Sequence, residues 1–289
     1  MKKYLRTAAL VLLALILIAL VLSYGFIRGW HIKKHTPEEL AQLLKPYFQI
    51  KTPEGKGPFP TIIGFHGCGG LRKGVSDWAD YLVGLGYAII LVDSFTGRGF
   101  ITLDDIQDVC AGRKLWGSER AGDVIVALDE ARKLPFVDTE RLALFGWSHG
   151  AWTIMDLFVM DPPHELPTNL KRSPDQPLAG VKAAVLFYPY CGFPAKSRGQ
   201  GWTHDIEVLM LMAGKDSIVS TEACLKIVSI LEKSGRPIRT HVYPSIDHAF
   251  DMRDEDFKEL QLSLSHHPET TSDARKRVKR FLAEVFRAR

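Results

Sequence analysis

The stretch Gly146-Trp147-Ser148-His149-Gly150 constrains this chain more than any other part of it. A bare G-x-S-x-G run carries little weight in a chain with 24 glycines. Its flanks supply the weight. Residues 141–145 form an apolar segment the length of one buried strand, and residues 151–160 read as a buried helix. Strand, tight turn and helix hold a serine hydroxyl up at the end of a sheet. The glycines are needed because the turn is sharp and because helix and strand pass close, leaving no room for Cβ atoms. The competing reading is a glycine-rich turn with an incidental serine.

The rest of the chain repeats this alternation. Apolar runs predict strands at 61–65, 87–92, 141–145, 181–187, 207–212 and 240–243. Between them, helices are expected from Ser76 as cap to about Gly86, over 120–134 before Pro135, and over 222–234 before Gly235. Ala274, Val278, Phe281, Leu282 and Val285 give a last helix one apolar face. Continuous apolar strands alternating with helices predict an α/β fold, its sheet mostly parallel and covered on both faces. Such sheets gather their functional loops at the carboxyl ends of the strands. One domain over 48–289 is expected, after a linker and short helix at 28–47. That helix starts at Thr36-Pro37-Glu38-Glu39, a capping box with proline at the first position. The stretches 161–180 and 251–271 read as excursions from the alternation.

Behind a short tail, 1–6, residues 7–27 carry no charge and are dominated by Leu, Ala, Ile and Val. About 20 helical residues cross a bilayer core of about 30 Å, whereas a cleaved signal has an apolar core of about 7–15. Length favours a retained transmembrane anchor. Val21-Leu22-Ser23 leaves cleavage open. Either way the domain that follows is expected to be exported. Lys2, Lys3 and Arg6 before the segment balance Arg28, Lys33 and Lys34 after it, so flanking charge does not set orientation. These six belong to the 37 basic residues, while none of the 33 acidic ones lies in 1–35. The remainder is close to neutral, with no basic field to recruit nucleic acid. Arg275, Lys276, Arg277, Lys279 and Arg280 read as the solvated face of the last helix.

An isolated serine hydroxyl needs a base to take its proton and a third group to hold the base. Asp216 follows strand 207–212 directly and is the candidate acid. His248 lies on the loop after the last strand and is the candidate base. The other histidines flank the apolar segment, precede the acid, sit inside a strand or lie in the excursions. The backbone N–H groups of His149 and Cys68 are candidate oxyanion donors, the latter in the glycine loop His66-Gly-Cys-Gly-Gly70. The spacing of the four cysteines fits no zinc pattern. Cys224 shares an apolar stripe with Ile227, Val228 and Leu231 and reads as a core residue. Cys110 and Cys191 both follow strands on the loop side of the sheet and are a candidate disulfide in an exported domain.

The ordered set His66-Gly-Cys-Gly-Gly70, Asp93-Ser-Phe-Thr-Gly-Arg-Gly99, Arg120-Ala-Gly-Asp123, Gly146-Trp-Ser-His-Gly150, Phe187-Tyr-Pro-Tyr-Cys191, Gly214-Lys-Asp216 and Asp247-His-Ala-Phe250 resembles the dienelactone hydrolase-like branch of the α/β-hydrolases. The resemblance covers about residues 48–289 and implies an α/β-hydrolase fold. It implies ester or related acyl hydrolysis with Ser148 as nucleophile, His248 as base and Asp216 as its partner. Dienelactone hydrolases proper carry cysteine at the elbow. Ser148 there favours a general carboxylesterase, cleaving small carboxylic esters through an acyl-enzyme.

Arg98 stands at a strand end, where it meets either a substrate carboxylate or a structural salt bridge. Trp147, Tyr188 and Tyr190 line either the pocket or the core. A thioesterase, a lipase, a peptidase and a non-catalytic scaffold on the same fold remain alternatives. The expected partners are a small ester and, through residues 7–27, a membrane. No nucleic acid, metal or organic cofactor is called for, and oligomeric state is left open.

Overall fold

The apolar runs pair side by side to satisfy their backbone hydrogen bonds, and helices cover both faces of the resulting sheet. The computed structural model describes residues 2–27, 29–162 and 164–287; Arg28, one of the cations flanking the apolar segment, lies outside them. The strands are β1 (Phe48–Lys51), β2 (Phe59–Phe65), β3 (Ala88–Val92), β4 (Val137–Trp147), β5 (Val181–Phe187), β6 (Glu207–Ala213) and β7 (Ile238–Tyr243). They form one sheet in the order β1-β3-β2-β4-β5-β6-β7. Only β1 runs antiparallel. The helices are α1 (Lys2–Ile27), α2 (Pro37–Leu44), α3 (Lys73–Val83), α4 (Leu103–Cys110), α5 (Gly117–Arg132), α6 (His149–Val159), α7 (Thr221–Lys233), α8 (Asp254–Glu259) and α9 (Pro268–Val285).

Alternate residues of each strand feed two cores. Ile63, Ile90, Leu144 and Met210 pack with α2, α5, α6 and α7. Ile62, Ile89, Phe145 and Leu209 pack with α3 and α9 on the other face. The six strands expected from the sequence are present. β1, α4 and α8 depart from expectation. β1 is a four-residue, half-exposed edge strand, too short to register as a period. α4 and α8 run through acidic stretches, LDDIQDVC and DEDFKE, with few buried apolar positions.

The cap of α3 also differs from the reading at Ser76. The helix starts at Lys73, and the N–H groups of Lys73 and Gly74 donate to the Asp256 carboxylate at 3.1 and 2.9 Å. A carboxylate at a helix N-terminus satisfies amides that have no intrahelical partner. Ser76 instead accepts from Lys51 Nζ at 3.0 Å. The capping box on α2 forms as expected between Thr36 and Glu39.

Among the described residues, one helix is long and apolar enough to cross a membrane: Ala9–Phe26, of mean hydropathy 2.8. It meets the domain where Phe26 stacks on His31 and sets its ring edge-on to Trp116, with centroids 5.4 Å apart in the second pair.

The cysteines pair Cys68–Cys110 and Cys191–Cys224. The expected Cys110–Cys191 bond does not form, and Cys224 is not a free core thiol. Cys110 ends α4 rather than a strand, and α4 folds over the glycine loop that holds Cys68. Cys191 follows β5 and meets the inner stripe of α7. Reduction should therefore raise the mass of the denatured chain by that of two reduced bridges. Removing either pair by Cys→Ala should cost about 4 kcal/mol of stability, from loop closure across 42 and 33 residues. Denaturation midpoints measure this; unchanged midpoints would contradict it.

Candidate active site

Ser148 sits at the turn between β4 and α6 with φ +51° and ψ −109°, a conformation that costs a non-glycine residue energy. Its amide is held by the Phe187 carbonyl at 2.8 Å. The flanking glycines are steric requirements. A Cβ on Gly150 would stand 2.0 Å from the Phe65 carbonyl oxygen, and one on Gly146 would stand 2.5 Å from the Ala151 nitrogen. β2 and β4 can lie this close to α6 only without those atoms.

Three loops at the carboxyl ends of β4, β6 and β7 bring the expected residues together. His248 Nε2 lies 3.0 Å from Ser148 Oγ. His248 Nδ1 lies 2.7 Å from Asp216 Oδ2. The side chains of His248 and Asp216 are 6% and 1% exposed, so solvent hardly competes for this bond. The other carboxylate oxygen, Asp216 Oδ1, accepts from the amides of Ile218 at 3.0 Å and Val219 at 2.8 Å. The glycine loop after β2 lies against the elbow: a Cβ on Gly67 would stand 3.5 Å from Ser148 Cβ. Among the described residues, the N–H groups of Cys68 and His149 have no protein acceptor.

Three polar residues that hold this arrangement, two of them buried, carried no assigned role in the sequence reading. Asp247 accepts from the amides of Ser217 and His248 at 2.7 and 2.6 Å, stitching the acid loop to the histidine loop. Asp251 accepts from Trp78 Nε1 (2.7 Å), Trp147 Nε1 (3.1 Å) and Tyr188 Oη (2.6 Å). The Tyr188 ring in turn packs edge-on against His248, centroids 4.6 Å apart. Burial, with Asp251 beside it, pushes the Tyr188 hydroxyl well above the usual tyrosine range, and burial raises the Asp251 carboxyl. Arg120 is fully buried and donates to Ser94 Oγ (2.9 Å), the His66 carbonyl (2.8 Å) and His149 Nδ1 (3.0 Å). It ties the ends of β2 and β3 to the first residue of α6. Burial lowers its pKa to about 9. Burial and the Arg120 charge hold both His66 and His149 well below the usual histidine range, so both are neutral near pH 7.

The remaining sequence candidates divide. Arg98 does not reach the site: it forks onto Asp123 at 2.9 and 2.7 Å and takes the structural option. Trp147 and Tyr188 are core residues, 2% exposed, whose edges also line a cavity beside His248. Tyr190 lines a second cavity, together with Trp116 and Trp152. Ser148 borders both cavities, of about 380 and 270 Å³.

A mostly parallel sheet with helices on both faces, and a serine on a strained strand-to-helix turn within reach of a histidine, is an α/β-hydrolase-like arrangement. Residues 173–286 match the model of the Dienelactone hydrolase family. Residues 76–164 match the Prolyl oligopeptidase family. "Probable dipeptidyl-aminopeptidase B" of Fusarium vanettenii is 38% identical over 77 residues, 27% of this chain and 8% of that relative's length. The fold is shared with m3DLH (TM-score 0.63, 22% identity, covering 82% of this chain and 92% of that one). It is also shared with the dienelactone hydrolase-like promiscuous phosphotriesterase P91 from metagenomic libraries (0.59, 18%, 82% and 92%). A third is the Thermogutta terrifontis esterase Est2 with bound butyrate (0.53, 13%, 82% and 88%).

Proposed function

We propose that this chain is a serine hydrolase of small carboxylic esters. The observation that carries the reading is the pair of contacts on His248, 3.0 Å to Ser148 Oγ and 2.7 Å to Asp216 Oδ2. His248 takes the serine proton as Oγ bonds to the ester carbonyl carbon. The oxyanion is met by the amides of Cys68 and His149, each worth about 3 kcal/mol at the transition state. The ester C–O bond then breaks, and His248 returns the proton to the departing alcohol. Water, deprotonated by His248, releases the acid from Ser148 by the same steps. The reading calls on no metal or organic cofactor. That Est2 was found with butyrate in place supports a small acyl group as ligand here.

A fluorophosphonate probe tests it. The folded chain is expected to be labelled, and Ser148→Ala is expected to take no label. Absence of label on folded wild-type protein would leave a non-catalytic scaffold as the better account. A peptidase reading has specific support in the match over residues 76–164. Turnover of peptide anilides at rates comparable with esters would favour it; ester turnover alone removes it.

We further propose that α1 is a retained membrane anchor and that the domain is exported. The charge-free span Ala9–Phe26 and the two disulfides support this.

A further inference from the structure

Two cavities meet at Ser148, and they differ in what surrounds them. Ser148, Cys68, Cys110, Ala111 and Ile218 border both, so the Cys68–Cys110 bond stands at their junction. The larger, about 380 Å³, is walled by Val75, Met252, Phe257, Leu260, Leu262 and Leu264, and His248 lines it. Two charged side chains on its wall are already engaged. Arg72 bonds Glu259, and Asp256 caps α3. The smaller, about 270 Å³, is walled by the rings of Trp116, Trp152, Tyr190 and Phe193, and it includes His149 but not His248.

This asymmetry assigns the two arms of an ester. The alcohol oxygen must come within about 3 Å of the group that protonates it. That group is His248, so the alcohol chain runs into the cavity that His248 lines. The acyl arm is left with the aromatic cavity, where ring edges and faces favour a compact flat group. We propose that the site selects esters with a compact, flat acyl group and a medium-length aliphatic alcohol. The aliphatic segment Leu260, Leu262 and Leu264, just after α8, would set the alcohol length. This selectivity rests on the hydrolase reading above.

Two ester series on the full chain in detergent test it. The first is benzoates of ethanol, butanol, hexanol and octanol. The second is ethyl esters of butyric, hexanoic and octanoic acids. In the first, kcat/KM is expected to rise about threefold to fourfold per methylene until the cavity fills. In the second it is expected to stay flat or fall. Leu264→Trp, at a half-buried position, should cut the octyl-to-ethyl benzoate ratio tenfold or more. A rise with acyl length instead, no dependence on either length, or an unchanged ratio in Leu264→Trp would overturn the assignment. Fluorophosphonate labelling of the same preparation separates the two failures. Labelled enzyme with the wrong length dependence refutes the selectivity alone. Folded enzyme with neither label nor turnover refutes the hydrolase reading, and the selectivity with it.

Discussion

Asp216→Asn should lower kcat about 10⁴-fold while leaving the denaturation midpoint nearly unchanged. The geometry gives the reason. Asp216 Oδ1 accepts two backbone amides, those of Ile218 and Val219, and Oδ2 faces His248 Nδ1. An asparagine keeps its oxygen on the two amides, because its NH₂ group cannot accept them. The NH₂ group then faces Nδ1 and donates to it. The ring is forced into the tautomer with its proton on Nε2, the nitrogen 3.0 Å from Ser148 Oγ. A nitrogen that already carries a proton cannot take the one on serine. Steady-state kinetics, with circular dichroism and urea titration as folding controls, measure both halves. A loss of less than tenfold would mean that another carboxylate orients the histidine, and Asp247, its chain neighbour, would be examined next.

Arg120→Met should destabilise the fold by about 3 kcal/mol. Methionine matches much of the stem but donates nothing. The Ser94 hydroxyl, the His66 carbonyl and His149 Nδ1 all lose their donor in a place water does not reach. Asp123, also fully buried, keeps Arg98 but loses the second cation nearby. Removing a charge that burial disfavours returns part of the cost, which is why a larger loss is not expected. The residues released include His149, itself a proposed oxyanion donor, and His66 in the loop that carries Cys68, so kcat should fall in whatever fraction remains folded. Urea titration reads the stability change, and a shift below about 1 kcal/mol would show that Arg120 is not a brace.

The elbow and the strand alternation were legible because their physics is local. Residues 146–150 state their own turn, since no other residue type fits where Gly150 meets the Phe65 carbonyl. Asp216 and His248 were legible because each follows an apolar strand, and in a parallel sheet every such position lies at the same edge. Arg120 and Asp251 were not. Each sits in an unexceptional local pattern, and its role comes from partners elsewhere in the chain.

The cysteines mark the same boundary. Their number and the exported context pointed to a disulfide, but the partners depended on α4, a short acidic helix whose sequence carries little periodicity. Arg98 had two readings from sequence, and the choice fell to Asp123, which α5 places opposite it.

The amino-acid order alone determined the alternating α/β plan, the apolar N-terminal helix, the sharp turn at Ser148 and the chain order serine, acid, histidine. These depend on neighbours within a few residues, whose packing period is written directly in the residue types. The folded chain decided the disulfide pairing, the Arg120 and Asp251 braces, the Asp256 cap on α3 and the two unlike cavities. Each of these joins residues far apart in sequence; Asp256, for example, serves an amide 183 positions away. Burial and hydrogen-bond partners of that kind exist only after the sheet has brought the loops together.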